Sequence, residues 1–205
     1  LVAYETMDYL KANPTMVPAD VTVTVIPVMN PDGLEKVVGT TERFVASDVS
    51  KDQTVVVSGR FNVNEVDLNR NFDCKWKPES VWRENIVSAG SAPFSEIEAK
   101  VFRDFALKIK PSAVVFWHSQ AGAVYASECE KGILPETMTL MNTYAKASGY
   151  KAFSTFDSYQ TTGDADAWLA SIGIPAVSVE LTTHEAIEYE KNLAGTKAVL
   201  EFYKK

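Results

Sequence analysis

Two short runs of apolar residues constrain the fold more than any other feature of this sequence. Ser112 to Trp117 is followed directly by His118, and the run from Ala176 to Leu181 carries Glu180 near its end. Apolar runs of this length without alternation are typical of strands that are buried on both faces of a sheet. Helical patterns surround both runs, so the sequence predicts an α/β layer fold.

The remaining elements are predicted from periodicity, caps and turn residues. Helices are expected over residues 1–10, 95–108, 134–148, 164–172 and 185–203. Ser95 would cap the second of these in a capping box with Glu98, and Gly149 would end the third. Strands are expected at 21–28 and 53–57, a turn at 30–33, a loop or hairpin over 35–60, and irregular structure over 75–90.

Composition excludes several classes of protein. The chain has 205 residues, of which 46% are hydrophobic and 23% charged, as in an ordinary globular protein. The net charge of −7 and the lack of a Lys/Arg cluster argue against nucleic acid as a partner. No run approaches the roughly 18 apolar residues of a membrane span. We interpret residues 1–205 as a single domain; the oligomeric state cannot be predicted from these features.

The start of the chain and its cysteines bear on processing. The sequence begins with Leu1 inside a helical pattern, without an initiator Met or a signal peptide, so we expect that a segment upstream of it was removed. Two cysteines allow one disulfide and no cysteine-based zinc cluster. We expect Cys74 and Cys129 to be close in space and bridged if the protein is secreted, and we favour a secreted or periplasmic location over a cytoplasmic one.

The stretch from Glu65 to Asp73 has the composition of a binding segment. Its charged and amide groups interleave with Val66, Leu68 and Phe72, which predicts a segment fixed to a core while it presents Asn69 and Arg70. The planar guanidinium of Arg suits a carboxylate because it can donate two parallel hydrogen bonds. A turn with a structural Arg–Asp pair fits the same residues, and both interpretations stay open here.

His118 and Glu180 are the ionisable residues at the ends of the two apolar runs. Ligands bind beyond the carboxyl ends of the strands in open α/β sheets, so the pair predicts a metal ligand with a general base, or an acid/base pair. Each residue alone also fits a hydrogen-bonded edge residue. A nucleophilic triad is disfavoured, because Ser119 adjoins His118 in sequence and no Gly-x-Ser-x-Gly elbow is present. Phosphate-binding and dinucleotide-binding glycine motifs are absent too.

Several separated motifs, in order, resemble the zinc metallocarboxypeptidase family across nearly the whole chain. They are Asn30-Pro31-Asp32-Gly33, Arg60, Val66-Asp67-Leu68-Asn69-Arg70-Asn71-Phe72, Ala92-Pro93-Phe94-Ser95-Glu96, His118-Ser119, Tyr159-Gln160-Thr161-Thr162-Gly163-Asp164 and Val179-Glu180-Leu181. The resemblance implies a three-layer α/β/α fold with a mixed, mostly parallel central sheet. It also implies a one-zinc peptidase that removes the C-terminal residue of a peptide with a free carboxylate.

The resemblance assigns the catalytic roles residue by residue. His118 matches the family's third zinc ligand, and Glu180 matches the glutamate that takes a proton from the zinc-bound water. Zinc lowers the pKa of such a water to about 7, which allows a glutamate to complete the deprotonation. Arg60 matches the arginine that stabilises the developing oxyanion.

The resemblance also assigns residues that bind the substrate. Asn69 and Arg70 match the pair that holds the terminal carboxylate, and Tyr159 matches the mobile tyrosine that covers the substrate. Asp164 and Asp166 fall near the pocket for the C-terminal side chain, where an acid would favour a basic residue. Asp164 could instead simply cap the following helix.

The sequence departs from the family at the zinc site. The family's first two ligands are a His and a Glu three positions apart, and this chain has no His-x-x-Glu and only two histidines, His118 and His184. His184 is expected at the solvated start of the last helix. One ligand cannot make a three-ligand zinc site, so we expect this chain alone to be an incomplete, zinc-poor and inactive form.

Two other functions fit the same residues. One is an amidohydrolase of the same fold that acts on cell-wall peptides or acylated amino acids. The other is a non-catalytic peptide-binding module that has lost its metal. A His-x-x-Glu encoded upstream of Leu1 would favour an enzyme.

Overall fold

A computed structural model describes all 205 residues, which form two compact units. Unit 1 consists of Leu1–Pro27, Pro111–Phe156 and Leu169–Lys205, and unit 2 consists of Val28–Lys110 and Asp157–Trp168. The single-domain organisation expected from the sequence stays a prediction.

Helices and strands alternate along much of the chain. The helices are α1 (Val2–Ala12), α2 (Pro31–Val38), α3 (Gln53–Ser58), α4 (Ile97–Ile109), α5 (Pro135–Ser148), α6 (Ala165–Ser171) and α7 (Tyr189–Tyr203). The strands are β1 (Glu79–Trp82), β2 (Asn85–Ser88), β3 (Val114–Ser119), β4 (Ala123–Ala126), β5 (Glu128–Cys129), β6 (Gly132–Ile133), β7 (Lys151–Phe153) and β8 (Ala176–Leu181). None of the helices combines the length and apolar character that crossing a membrane requires.

The main sheet lies in unit 1 and confirms the mixed, mostly parallel sheet predicted from the sequence. Its strand order is β3-β8-β4-β7. The β3–β8 and β4–β7 pairs are parallel, and the β4–β8 pair is antiparallel. In the β3–β8 register, His118 pairs directly with Glu180.

Apolar packing between this sheet and α5 forms the core of unit 1. The buried cluster joins Val124 of β4, Val177 and Val179 of β8, and Leu140 and Tyr144 of α5, with exposures of 0%. Helix α7 packs on α5 at a glycine. A Cβ at Gly195 would lie 2.5 Å from the Tyr144 ring, so only glycine allows the two helices to approach this closely.

Aromatic rings form the core of unit 2. The Phe72 ring lies 5.5 Å from that of Phe94, 5.8 Å from that of Phe102 and 5.7 Å from that of Trp168. The contacts with Phe94 and Phe102 are edge-on and the one with Trp168 is tilted, and aromatic pairs of this kind add stabilisation beyond the burial of area. Phe72 belongs to the Glu65–Asp73 stretch, which the sequence predicts to be fixed to a core, and its ring supplies that attachment.

Three predictions for residues between 21 and 57 are wrong. Residues 21–28 form no strand and pair with no other segment, because the predicted β-branched pattern has no neighbouring strand to bond to. Residues 53–57 belong to helix α3, since the Asp52 side chain accepts a hydrogen bond from Thr54 N and caps it. The turn at 30–33 is the start of α2, with Asn30 as N-cap and Pro31 in the first turn. Of the loop or hairpin expected over 35–60, residues 35–38 and 53–58 are helical, and residues 39–52 between them form a loop with one short 3-10 turn.

Other boundaries also shift. The region from 75 to 90, predicted to be irregular, contains the antiparallel hairpin of β1 and β2. The capping box of Ser95 with Glu98 is wrong: the N-cap residue of α4 is Glu96, which makes no side-chain cap hydrogen bond, and the Ser95 hydroxyl donates to the Glu96 carboxylate instead. Helix α7 begins at Tyr189, four residues later than expected. Strand β3 is half-buried because it lies at the edge of this sheet.

Both cysteines are oxidised. Cys74 and Cys129 are each disulfide-bonded, and neither is a free thiol. This agrees with the disulfide expected from the sequence.

Candidate active site

The His118–Glu180 pair is built by backbone pairing alone. The two residues stand opposite each other in parallel strands β3 and β8, near the carboxyl end of each strand. The side chains of register partners leave the same face of a sheet. The His118 ring stacks on Phe116, two residues earlier on the same face, at 6.2 Å. The Oε2 atom of Glu180 is buried.

A hydrogen bond links the end of β3 to the loop after β8. The Ser119 hydroxyl lies 2.6 Å from His184 Nδ1, and both residues are exposed. His184 therefore lies in the loop before α7, and the expectation that it starts this helix is wrong. The chain's second histidine serves as a side-chain partner of the residue that follows His118.

The same loop is closed by Glu188. Its carboxylate accepts hydrogen bonds from Thr182 N at 2.6 Å, from the Tyr150 hydroxyl at 2.8 Å and from Lys191 Nζ at 2.6 Å. Partial burial acts against the charged form, but these hydrogen bonds outweigh it and lower the pKa of Glu188 to about 2. The Glu188 carboxylate at the end of this loop thus binds the backbone of Thr182 at its start.

The guanidinium of Arg60, in unit 2, has a contact along one edge of its plane and another on one face. Its Nε and Nη2 donate to Asp67 Oδ2 at 2.7 and 2.6 Å. Its guanidinium carbon lies 4.5 Å from the centre of the Trp82 ring. The Asn30 side chain donates to the backbone carbonyls of Gly59 and Arg60, at 3.2 and 3.4 Å. The Asn-Pro-Asp-Gly motif thereby fixes the backbone that carries Arg60.

Arg70 is buried, in contrast to its expected presentation. It is 2% exposed, and its guanidinium donates to backbone carbonyls. Nε and Nη2 bond to Val81 O at 3.1 and 3.0 Å, and Nη1 bonds to Asn69 O at 2.6 Å. A guanidinium has five N–H donors, so three are used here and the charge faces neutral acceptors. The structural Arg–Asp pair considered from the sequence exists, but it joins Asp67 to Arg60.

Asn69 connects its own stretch to the start of α6. Its Oδ1 accepts a hydrogen bond from Ala165 N at 3.0 Å, and its backbone N–H donates to Asp67 Oδ1 at 3.1 Å. The half-buried side chain keeps its Nδ2 donors for another partner.

A glycine allows the segment before α6 to lie against Arg70. Gly163 has φ +74°, and a Cβ there would lie 2.2 Å from Arg70 O, so any other residue would clash. Phe72 N donates to Gly163 O at 2.9 Å, which joins the two segments. Asp164 is therefore placed where it interacts electrostatically with Arg70.

Asp164 and Asp166 form a hydrogen-bonded carboxyl pair. Burial and the neighbouring Asp166 carboxylate raise the pKa of Asp164 to about 7. Tyr159 lies near enough to Arg60 to interact with it electrostatically. The acidic pair is half-buried beside a buried cation, which makes it suited to a second cation.

Sequence reasoning passed over two residues of this arrangement. Asp67 accepts the hydrogen bonds of both Arg60 and Asn69, and Trp82 supports the Arg60 guanidinium. Asp67 had a detectable signal, because an Asp two residues before Asn69 is a typical cap of a short helical turn. Trp82 had none, since only the β1–β2 hairpin brings it to Arg60.

The predicted site residues thus fall into two sets. Unit 1 pairs His118 with Glu180. Unit 2 brings together Arg60, Asn69 and Arg70 with the segment that holds Tyr159 and the two aspartates. The expected convergence of both sets on one cleft stays a prediction.

The residues of this chain do not by themselves fit the implied zinc ion. A catalytic zinc site needs three protein ligands. His118 lies beside Glu180, but no group of three or more His, Cys, Asp or Glu side chains is arranged to hold a metal ion. The inactivity expected for this chain alone stays a prediction.

Curated proteins include a relative that is named for the bond it cleaves. The chain is 27% identical over 172 residues to the γ-D-glutamyl-L-diamino acid endopeptidase 1 of Lysinibacillus sphaericus. The match covers 78% of this chain and 42% of that protein, so the chain spans about two fifths of the relative's length.

Solved structures share the fold. Murein-tripeptide amidase MpaA from Escherichia coli O157 matches 86% of this chain and 67% of its own, with a TM-score of 0.61 and 23% identity. Carboxypeptidase A from Helicoverpa armigera matches 98% of this chain and 58% of its own, with a TM-score of 0.60 and 18% identity. The architecture is therefore that of a zinc carboxypeptidase.

The family model for zinc carboxypeptidases, the M14 peptidases, matches residues 3–199 of this chain. This span includes the two apolar strands, the Glu65–Asp73 stretch and the segment before α6. The chain belongs to the zinc carboxypeptidase family.

Proposed function

We propose that the complete protein is a zinc-dependent peptidase that hydrolyses the bond before a C-terminal residue with a free carboxylate. The observation that carries this proposal is the direct pairing of His118 with Glu180 at the carboxyl ends of β3 and β8. Ligands of α/β sheets bind at this end of the strands. Membership of the zinc carboxypeptidase family supports a peptidase reaction.

Glu180 acts as the general base in this proposal. A carboxylate on a sheet strand beside a metal-ligand histidine can accept the proton of the attacking water and later deliver it to the leaving amine. Arg60 stabilises the oxyanion that forms as water adds to the carbonyl. Its Nη1 donors are free of the Asp67 contact, and a donor of this kind typically contributes about 2.7–4 kcal/mol to lowering the barrier.

Arg70 and Asn69 bind the substrate's terminal carboxylate. The buried guanidinium of Arg70 bonds only to neutral carbonyls and keeps two N–H donors. A carboxylate would supply the opposite charge that these carbonyls lack, and charge-assisted hydrogen bonds are the stronger kind. Asn69 adds its Nδ2 donors, and Tyr159 covers the bound peptide.

Asp164 and Asp166 select a cationic C-terminal side chain. A half-buried carboxyl pair is costly to ionise without a counter-charge, and the raised pKa of Asp164 reflects this cost. An ammonium or guanidinium would pair with the aspartates, whereas an apolar side chain would leave them without a partner. We therefore expect peptides that end in Lys or Arg to be preferred over those that end in Phe or Leu.

A cell-wall peptide is the second candidate substrate. The Lysinibacillus relative is named for cleavage beside a diamino acid, and a diamino acid carries a side-chain amine. The same aspartate pair would therefore recognise it. The two candidates differ in the group that precedes the scissile bond, which is an ordinary residue in one and γ-D-glutamyl in the other.

The test compares kcat/KM of the full-length protein for matched peptides. We expect peptides that end in Arg or a diamino acid to exceed the Phe peptide by at least about tenfold, or 1.4 kcal/mol. Asp166→Ala should reduce this ratio, and Asp157→Ala, at an exposed position of the same segment, should leave it unchanged. Equal values for Arg and Phe in the wild type would refute the role of the aspartates.

Two further outcomes separate the other hypotheses. Faster cleavage after γ-D-glutamyl than after an α-linked residue would favour the cell-wall substrate. Peptide binding without any hydrolysis by the full-length protein would favour a non-catalytic module. Residues 1–205 assayed alone should show no turnover, because they supply one of the three zinc ligands.

A further inference from the structure

Asp67 is a buried acid that bonds to two site residues at once. It is 1% exposed. Its Oδ2 accepts both Nε and Nη2 of Arg60, at 2.7 and 2.6 Å, and its Oδ1 accepts the backbone N–H of Asn69 at 3.1 Å. One carboxylate therefore joins the arginine assigned to the oxyanion to the amide assigned to the terminal carboxylate.

The backbone of Asp67 is itself fixed. Its N–H donates to Ser88 O at 3.0 Å, its carbonyl accepts from Arg70 N at 2.9 Å, and it forms an isolated bridge with Phe61. The carboxylate thus projects from a rigid point in unit 2. Such a group can determine where its partners lie, whereas a flexible side chain would follow them.

The Arg60 guanidinium has little freedom while this contact exists. Asp67 occupies the edge formed by Nε and Nη2, and Trp82 covers one face of the plane. Nη1 is left as the donor that points away from Asp67. Without the carboxylate, the side chain could rotate about its long stem, and Nη1 would lose its defined position.

We propose that Asp67 is the positioning residue that presents Arg60, and through its cap Asn69, to the substrate. This inference rests on the proposed function, because that function gives Arg60 and Asn69 their roles. Asp67 itself has no contact with the substrate and acts through these two partners. Its contribution is orientation. The ion pair also offsets part of the positive charge of Arg60, so the charge effect alone would oppose oxyanion binding. A misplacement of about 1 Å can cost about 100-fold in rate.

The test is a double-mutant cycle in the full-length, zinc-loaded protein. Asp67→Asn should lower kcat by about 10- to 100-fold in the wild-type background. In the Arg60→Ala background the same change should lower kcat by less than about threefold, because the group being positioned is gone. Asp73→Asn is the matched control, since it removes the same charge from an exposed position of the same stretch and should change kcat by less than about twofold.

A second measurement does not depend on turnover. The Arg60 Nε proton should exchange slowly with solvent in the wild type and in Asp73→Asn, and at least about tenfold faster in Asp67→Asn, because the neutral amide offers one acceptor oxygen instead of two and no charge-assisted hydrogen bond. Asp67→Ser is measured in parallel. Serine is smaller and still offers an acceptor to the Asn69 N–H, so this variant should fold. It should show the same loss of kcat and the same faster exchange of the Arg60 Nε proton.

The outcomes distinguish this inference from the function on which it rests. If Arg60→Ala hydrolyses peptides slowly and Asp67→Asn matches the wild type, the positioning role is overturned and the proposed function stands. Equal losses from Asp67→Asn in both backgrounds would show a role independent of Arg60 and would also overturn it. If Arg60→Ala matches the wild type, the proposed function of Arg60 fails and takes the inference with it.

Discussion

The two units position their candidate functional residues by different means. In unit 1, His118 and Glu180 are brought together by the hydrogen-bond ladder of β3 and β8, and no side-chain bridge is needed. In unit 2, Arg60 and Asn69 lie in short turns outside the strands and longer helices, and both are positioned by the side chain of Asp67. A regular ladder fixes direction and register together, whereas an irregular segment needs a separate hydrogen bond for each residue.

Unit 2 therefore depends on a buried polar network. Asn71, 0% exposed, donates to Ala89 O, Ala92 O and Ser95 Oγ, and accepts from Glu96 N. Burial disfavours the charged form of Glu96, but hydrogen bonds from two asparagines and Ser95 outweigh it and lower its pKa. Buried polar groups stabilise a fold only while their partners are present. The comparison predicts that unit 2 is the more sensitive to single polar substitutions.

The largest expected effect is on turnover and concerns Glu180. In the full-length protein, Glu180→Gln should lower kcat by about 10²- to 10⁴-fold, because the amide cannot accept the proton of the attacking water. Since Glu180 is assigned as a base and not as a ligand, zinc content should be unchanged. The measurements are steady-state kinetics and elemental analysis.

Glu185→Gln is the matched control for this substitution. Glu185 is exposed in the loop after β8, and its replacement should leave kcat within about twofold. Loss of zinc from Glu180→Gln would contradict the assignment, and an unchanged kcat would show that the β3–β8 ladder positions no catalytic base.

The second effect is on stability and concerns Asn71. Asn71→Ala should reduce the free energy of unfolding by about 2–4 kcal/mol, because several buried groups lose their partner at once. Denaturant unfolding measures this loss. Asn85→Ala at the exposed first residue of β2 should cost less than about 0.5 kcal/mol. Similar losses of unfolding free energy in Asn71→Ala and Asn85→Ala would contradict the view that unit 2 depends on its buried polar network.

The same distinction explains which parts of the structure the sequence predicts. The apolar run before His118 and the run around Glu180 predict their two strands and the shared sheet edge, because a continuous apolar pattern is typical of strands in a covered sheet. Strand β8 is largely buried as expected, whereas β3, at the sheet edge, is half-buried. Helix α5 and its stop at Gly149 follow from periodicity and the left-handed cap. These elements are determined by local residues and the core.

Residues 21–28 and 53–57 show where such reasoning fails. Both have β-branched patterns, but a strand needs a partner, and the Asp52 cap with no partner strand makes 53–57 helical. The burial of Arg70 was equally hidden, since its acceptor Val81 O is eleven residues away on a hairpin that periodicity did not indicate. Irregular sites depend on contacts distant in sequence, and a single sequence carries little signal for them.

The third effect is a pH dependence at the loop of unit 1. Glu188→Gln should reduce the free energy of unfolding by about 1–2 kcal/mol at pH 7, because it weakens charge-assisted hydrogen bonds from Lys191 and Tyr150. The pKa of Glu188 is about 2 when folded, against an ordinary value of 4.5. Between these values the unfolded state binds more protons, so this contribution is complete above about pH 4.5 and declines toward pH 2.

The measurement is the difference in unfolding free energy between wild type and Glu188→Gln across this pH range. We expect the difference to be constant from pH 7 to about 5 and to shrink below it. Glu190→Gln, on an exposed residue of the first turn of α7, should show no such trend. A difference that grows as the pH falls would contradict the assigned direction.

The smallest effect is expected at the Ser119–His184 hydrogen bond. Both residues are exposed, and water can replace either partner, so Ser119→Ala and His184→Ala should each cost less than about 1 kcal/mol. The coupling energy from the double-mutant cycle should be below about 0.5 kcal/mol. In this view, the ladder holds His118 in place and the hydroxyl next to it is dispensable. A coupling above about 2 kcal/mol would mean that unit 1 also relies on a side-chain bridge at its site, and the contrast with Asp67 would no longer hold.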